Sequence, residues 1–154
     1  MEKIKLKLHE FYTLSAELEG LTNRQTGEVV NKGLMSEKIK LSTKYWLSDL
    51  AKKVVAERDS IEKLKEELIK KHGTTGEDGN VSIPMYTNEM VDETTKEIIS
   101  RDPNPTFIEF QNDFNTLLNE ERELEHHAFK LEDFENVETD GVYVIFFKLI
   151  KPNE

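Results

Sequence analysis

An apolar heptad running from Thr43 to Leu68 constrains this chain more than any other feature. Thr43, Leu47, Leu50, Val54, Glu57, Ile61, Leu64 and Leu68 are spaced alternately four and three residues apart, which keeps them on one face of a helix. The positions between them are mostly Lys, Glu, Asp and Ser, so the opposite face is solvated. Ser36 reads as the N-cap. Lys70, Lys71 and His72 suit the negative end of the helix dipole, and Gly73 suits the C′ position. A helix from 36 to 72 would be ~50 Å long at about 1.5 Å per residue. Such a helix must be covered by its own chain, by copies of itself or by a partner.

A second stripe, Phe107, Phe110, Phe114, Leu117, Glu121 and Leu124, has the same rhythm. Pro105 sits near its first turn, and the pattern carries the helix to about Glu125. The two stripes can cover each other as an antiparallel helical hairpin. Each holds one Glu, Glu57 or Glu121, where an apolar residue is expected. Such breaks mark water-facing edges or set register between helices or subunits.

Ile4, Leu6 and Leu8 alternate with lysines and read as a short strand with one buried face. Phe11, Leu14, Leu18 and Leu21 follow at helical spacing, and Gly20 marks the helix end. Asp140-Gly141 signals a turn. The β-branched and aromatic run from Val142 to Ile150 reads as a buried strand that pairs with the N-terminal one. The stretch Asn23 to Val30 reads as a tight turn, with Gly27 supplying a positive φ.

Residues 73 to 80 form a glycine-rich connection. Val81, Ile83 and Met85 then alternate as a strand that Pro84 confines to a sheet edge. Met90-Val91, the turn-like Asp92 to Lys96, and Ile98-Ile99 suggest a small hairpin. Gln25-Thr26-Gly27-Glu28-Val29-Val30 is echoed by Thr94-Thr95-Lys96-Glu97-Ile98-Ile99, an echo short enough to arise by chance or by repetition. The expected fold is α+β and helix-dominated, in a single domain spanning 1–154. A long antiparallel helical hairpin (about 36–72 and 105–125) forms the core, a hairpin at about 74–102 projects from it, and the N- and C-terminal segments supply a small antiparallel sheet.

Composition narrows the function classes. Lys plus Arg number 21 against 31 Asp plus Glu, a formal charge of −10. Displacing counterions from nucleic acid needs a surplus of cations, so direct DNA or RNA binding is disfavoured, as is an anionic membrane surface. There are no cysteines, which excludes disulfides, thiolate chemistry and Cys-ligated zinc. The N-terminal segment alternates charged and apolar residues and lacks the apolar core of a signal peptide. The run from Val142 to Ile150 falls far short of the ~20 residues needed to cross a bilayer. Action in a cytoplasm, or inside a particle assembled there, is expected.

No catalytic, cofactor-binding or metal-binding residue is assigned from the sequence. His126-His127 lies beside Glu121, Glu123 and Glu125, but adjacent histidines on a helix point about 100° apart and do not converge on one ion. Glu123 with either histidine could supply two ligands, and His9 or His72 would have to supply more. The glycines at 73, 76 and 79 trail a helix and precede no Gly-Lys-Ser or Gly-Lys-Thr, so they are no phosphate loop. No Gly-x-Ser-x-Gly elbow occurs, and an enzyme is not expected. The candidate interface residues are Tyr45 and Trp46 on the long helix, and Ile83, Met85 and Tyr86 in the hairpin segment. Trp46 lies beside the Leu47–Leu50 stripe, so a core role competes with that of an interface anchor.

Several segments resemble a small protein family of tailed bacteriophages, especially the crAss-like phages of gut bacteria. They are Asn-Arg-Gln-Thr-Gly-Glu-Val-Val-Asn-Lys-Gly-Leu (23 to 34), Lys-Tyr-Trp-Leu (44 to 47), Lys-Lys-His-Gly (70 to 73), Leu-Leu-Asn-Glu-Glu (117 to 121) and Phe-Lys-Leu-Glu-Asp-Phe (129 to 134). The resemblance implies a phage origin and carries over no functional residues. The expected role is a non-enzymatic virion structural or assembly protein, such as a small subunit of the head-to-tail region, present in several copies. Its partners would be other phage structural proteins or copies of itself, and its location the virion, or the host cytoplasm during assembly. The alternative is an acidic early protein that binds and blocks a basic host factor.

Overall fold

A computed structural model of the chain describes residues 1–138 and 143–151. In chain order the elements are β1 (Glu2–Lys7), α1 (Leu8–Glu19), β2 (Leu21–Thr22), β3 (Val29–Asn31), α2 (Leu41–His72), β4 (Thr74–Thr75), β5 (Val81–Ser82), β6 (Tyr86–Val91), β7 (Ile98–Pro103), α3 (Pro105–Leu118), β8 (Glu121–His126), β9 (Phe129–Lys130), α4 (Val144–Phe147) and β10 (Ile150–Lys151). The fold is α+β and helix-dominated, with small two-stranded sheets that are antiparallel apart from the short parallel pair β9–β10. The chain divides into two compact units. The first holds residues 1–60 and 119–154, the second residues 61–118.

In the first unit, β1, α1 and the stripe on the first part of α2 supply the core. Leu6, Phe11, Leu14, Leu18, Leu47, Leu50 and Val54 are all buried, as the alternation and the heptad require. The sheet differs from the expected one. β1 pairs antiparallel with β8, in the register Lys3↔Glu125, Lys5↔Glu123 and Lys7↔Glu121. The second helix therefore stops at Leu118, and Glu121 and Leu124 lie on a strand. Three lysines on one strand facing three glutamates on the other make that pairing favourable, and Leu124 is buried beneath them. The break at Glu57 is also accounted for, because its carboxylate accepts Arg122 Nε at 2.7 Å.

The expected C-terminal strand is a second correction. Val144–Phe147 is a short helix, and only Ile150–Lys151 pairs, in parallel, with Phe129–Lys130. The cause lies in α1. Buried Glu17 accepts the backbone N–H groups of Ile145 (3.1 Å) and Phe146 (2.9 Å) through its two carboxylate oxygens. Those are N–H groups that the first turn of a helix leaves unpaired. Two charge-assisted hydrogen bonds outweigh the β propensity of Val-Ile-Phe-Phe. Val142 and the expected Asp140-Gly141 turn lie outside the described residues.

Helix ends follow local signals unevenly. Gly20 ends α1 at φ 96°, and its N–H reaches Ala16 O at 2.8 Å. Ser36 does not cap α2, which begins at Leu41. Ser36 closes a 3₁₀ turn at Leu34–Ser36 and donates its hydroxyl to Gly33 O at 2.8 Å. Gly73 does end α2, with its N–H on Ile69 O at 2.7 Å. A Cβ there would come within 2.5 Å of Ile69 O and 2.7 Å of Val81 Cγ1, so close approach is what requires glycine at this position.

At the entrance to α1, Glu10 accepts the Lys7 backbone N–H at 3.0 Å and the Lys148 ammonium at 2.7 Å. Partial burial opposes its ionisation, but the Lys148 and Lys7 bonds outweigh it and hold the carboxyl below its ordinary range. A depressed folded-state pKa contributes stability above the unfolded value, and that contribution is lost as pH falls through the folded one. Because Lys148 is half-exposed, the effect is small, ~1 kcal/mol or less. Glu10→Gln should therefore melt slightly below wild type at pH 7, with the two curves converging as the pH falls below the ordinary glutamate range and through the lowered folded-state value. Calorimetric melts across that range check it.

The second unit contains β4 to β7, α3 and the last part of α2. Lys65 Nζ lies over the Phe114 ring at 5.6 Å, and His72 faces Asp113, so the helices run antiparallel as the hairpin reading requires. Its interior is thin. Ile61 and Phe110 are its buried apolar residues, while Phe107 and Phe114 are half-buried. β6 and β7 form a ribbon exposed along nearly its whole length. Asn104 ties the ribbon's base, donating its side-chain amide to Pro84 O (2.7 Å) and its backbone N–H to Met85 O (3.1 Å).

The two echoing segments fold as one turn used twice. Asn23 Oδ1 accepts the N–H groups of Gln25 and Thr26, and Asp92 Oδ1 accepts those of Thr94 and Thr95. Thr26 and Thr95 hydroxyls then accept from Glu28 and Glu97. The fifth residue is left-handed in both, Gly27 at φ 75° and Lys96 at φ 64°. A non-glycine residue there costs ~1–2 kcal/mol, partly offset by the ~0.5–1 kcal/mol of chain entropy glycine loses on folding. Lys96→Gly should tighten the ribbon by up to ~1 kcal/mol. Amide exchange in β6 and β7 would then slow by up to about fivefold.

Candidate interaction surfaces and a histidine–carboxylate cluster

Tyr45 and Trp46 belong to the first unit, and Ile83, Met85 and Tyr86 to the second. Trp46 is half-buried. It stacks on His127 at a centroid distance of 4.6 Å with planes 4° apart, and Tyr45 meets its edge at 5.1 Å while remaining exposed. His127 in turn abuts the edge of Phe129, which packs on Phe146 at 5.4 Å. Trp46 therefore forms the outer end of an aromatic column whose inner members, Phe129 and Phe146, are buried. One face of the indole is engaged by His127, and Tyr45 beside it is exposed.

His126 and His127 do not sit on a helix, contrary to the rhythm that runs on from Leu117. His126 ends β8 and His127 follows it. His126 is buried, and its Nδ1 lies 2.7 Å from the His127 carbonyl. A carbonyl can only accept, so Nδ1 carries the proton. Its ring stacks over Phe129 at 6.5 Å. Both histidines are thus packed among aromatic rings.

In the second unit, Met85 is exposed, Ile83 is half-buried, and Tyr86 carries the Arg101 guanidinium over its ring at 3.7 Å. In the same unit Met90, Val91, Ile98 and Ile99 are exposed on the ribbon, as are Ile108 on α3 and Leu64 on α2. Leu64, Leu68 and Leu117 line an open cleft of about 360 Å³ between α2 and α3, together with Glu67, Lys71 and Asp113. The heptad stripe is therefore buried as far as Ile61 and opens to solvent at Leu64.

One cluster is not evident from the sequence. At the end of α2, His72 faces Glu109 and Asp113, which lie one turn apart on α3. One ligand-type atom from each falls within 4.8 Å of the others. His72 Nε2 is shut off from solvent and has no hydrogen-bond partner; its nearest carboxylate oxygen, Asp113 Oδ2, is 3.6 Å away. The i,i+4 spacing of Glu109 and Asp113 was the available signal, but only the antiparallel helix pairing brings His72 to it.

Among the described residues no helix is long and apolar enough to cross a membrane. Comparison with known proteins returns no match among protein-family models, curated proteins or solved structures.

Proposed function

We propose that this chain is a non-enzymatic structural or assembly protein of a phage particle, with the second unit as its docking element. The phage setting comes from the sequence resemblance. The docking role rests on one observation, the distribution of apolar surface in residues 61–118. Ile61 and Phe110 are buried there, while Leu64, Met85, Met90, Val91, Ile98, Ile99 and Ile108 are exposed. A two-stranded ribbon without a packed face is marginal in water, and so many exposed apolar side chains in so thin a unit support a contact role. A connector or tail subunit would cover them with copies of itself or with another virion protein.

Light scattering on the purified chain and mass spectrometry of purified particles test the reading. Association into a defined oligomer and presence in virions support it. Replacing Met90 and Ile99 with Lys should leave the first unit folded but reduce association and incorporation. A strictly monomeric chain that is missing from particles would sink the proposal. The acidic charge of −10 favours a second reading, an early inhibitor of a basic host factor. That reading requires synthesis before the capsid proteins and salt-sensitive capture of the host factor.

A further inference from the structure

We infer that His72, Glu109 and Asp113 form a binding site for a divalent first-row transition-metal ion within the second unit. Two observations carry it independently of the assembly role. The first is convergence: an imidazole from one helix and two carboxylates from its antiparallel neighbour place ligand atoms within 4.8 Å of one another. The second is the state of the histidine. Its side chain is only 10% exposed, and Nε2 faces the carboxylates without a hydrogen bond. A buried ring nitrogen without a partner is unfavourable and rare. An ion among these three groups would supply the missing partner.

The donor set selects the metal class. Imidazole suits zinc, iron, cobalt, nickel and copper, while carboxylates also accept manganese; calcium and magnesium prefer oxygen alone. Two carboxylates balance the charge of a divalent ion and leave its remaining positions to water or a partner's side chain. Ligand atoms around such an ion lie about 3–3.4 Å apart, given bonds of ~2.1 Å. His72 Nε2 and Asp113 Oδ2, at 3.6 Å, are near that separation already. Glu109 is exposed and free to swing the rest of the way.

The ion would have a clear structural effect. Residues 73 to 104 leave α2 and return to α3, and the site bridges the two helices near the points of departure and return. Binding would staple the base of this excursion in a unit that has little apolar core to do so.

Calorimetric titration of the full chain, stripped of metal, with Zn²⁺ and separately with Mn²⁺ tests the inference. One ion per chain is expected, with a rise in melting temperature. The E109Q/D113N pair should weaken binding by at least about tenfold with an unchanged circular dichroism spectrum. His9→Gln, at an exposed histidine, should leave binding as it is. Cobalt substitution adds a visible-absorption signature that His72→Gln should abolish. No binding of either ion up to about 1 mM, or binding that survives the E109Q/D113N pair, overturns the site.

Discussion

Replacing Leu50 with Asp is expected to abolish the native state of the first unit. Leu50 is 1% exposed, midway along the buried stretch of the α2 stripe between Leu47 and Val54. Losing the leucine side chain alone would cost about 2–5 kcal/mol. Burying an unpaired carboxylate adds several more, against a total stability on the order of 5–15 kcal/mol for a domain. The product should be insoluble or molten, with near-ultraviolet dichroism lost and a hydrophobic dye bound. A variant with the wild-type melting curve would show that the stripe is not buried in the isolated chain.

Gly33→Ala should come next in severity, although it adds one methyl group. Gly33 is buried at φ 86°, ψ 141°, a region that residues with a Cβ rarely enter. A Cβ would stand 2.5 Å from the Glu19 carbonyl carbon and the Gly20 nitrogen, and 2.8 Å from Leu18 O. All three are backbone atoms at the end of α1 and cannot swing aside. Backbone strain of ~1–3 kcal/mol and overpacking of ~1–3 kcal/mol together give a loss of roughly 2–6 kcal/mol. Gly27→Ala is the matching control, with a similar φ and open space around the Cβ. It should cost only ~1–2 kcal/mol. Equal losses from the two variants, measured by urea denaturation, would disprove the close-packing account.

What was legible in the sequence was local. The heptad placed α2, Pro105 opened α3, Gly20 and Gly73 ended their helices, and the Asp92 to Lys96 turn appeared where its residues dictate. What was hidden required knowledge of a distant partner. Glu121–His126 continues a helical rhythm from Leu117 and is rich in good helix formers, yet it is a strand because Lys3, Lys5 and Lys7 stand opposite its glutamates. That alternation, readable on both segments, was the missed signal. Val144–Phe147 has strong β propensity but folds as a helix under Glu17, a residue 128 positions away from Ile145. The His72 cluster was hidden for the same reason, since nothing near His72 in sequence announces Glu109 or Asp113.

The Glu17 tie also sets a timetable for the chain as it is made. Its carboxylate sits among the buried leucines of α1, but the N–H groups that satisfy it belong to residues translated 128 and 129 positions later. At roughly 5–20 residues per second, α1 leaves the ribosome on the order of ten seconds before Phe146 can cover it. During that interval Phe11, Leu14 and Leu18 lack part of their packing, and a charged group destined for the interior remains in water. Completion of the first unit therefore waits for Ile145 and Phe146. Nascent chains halted before Tyr143 should be the protease-sensitive ones, and those extended past Leu149 and clear of the ribosomal tunnel should become resistant.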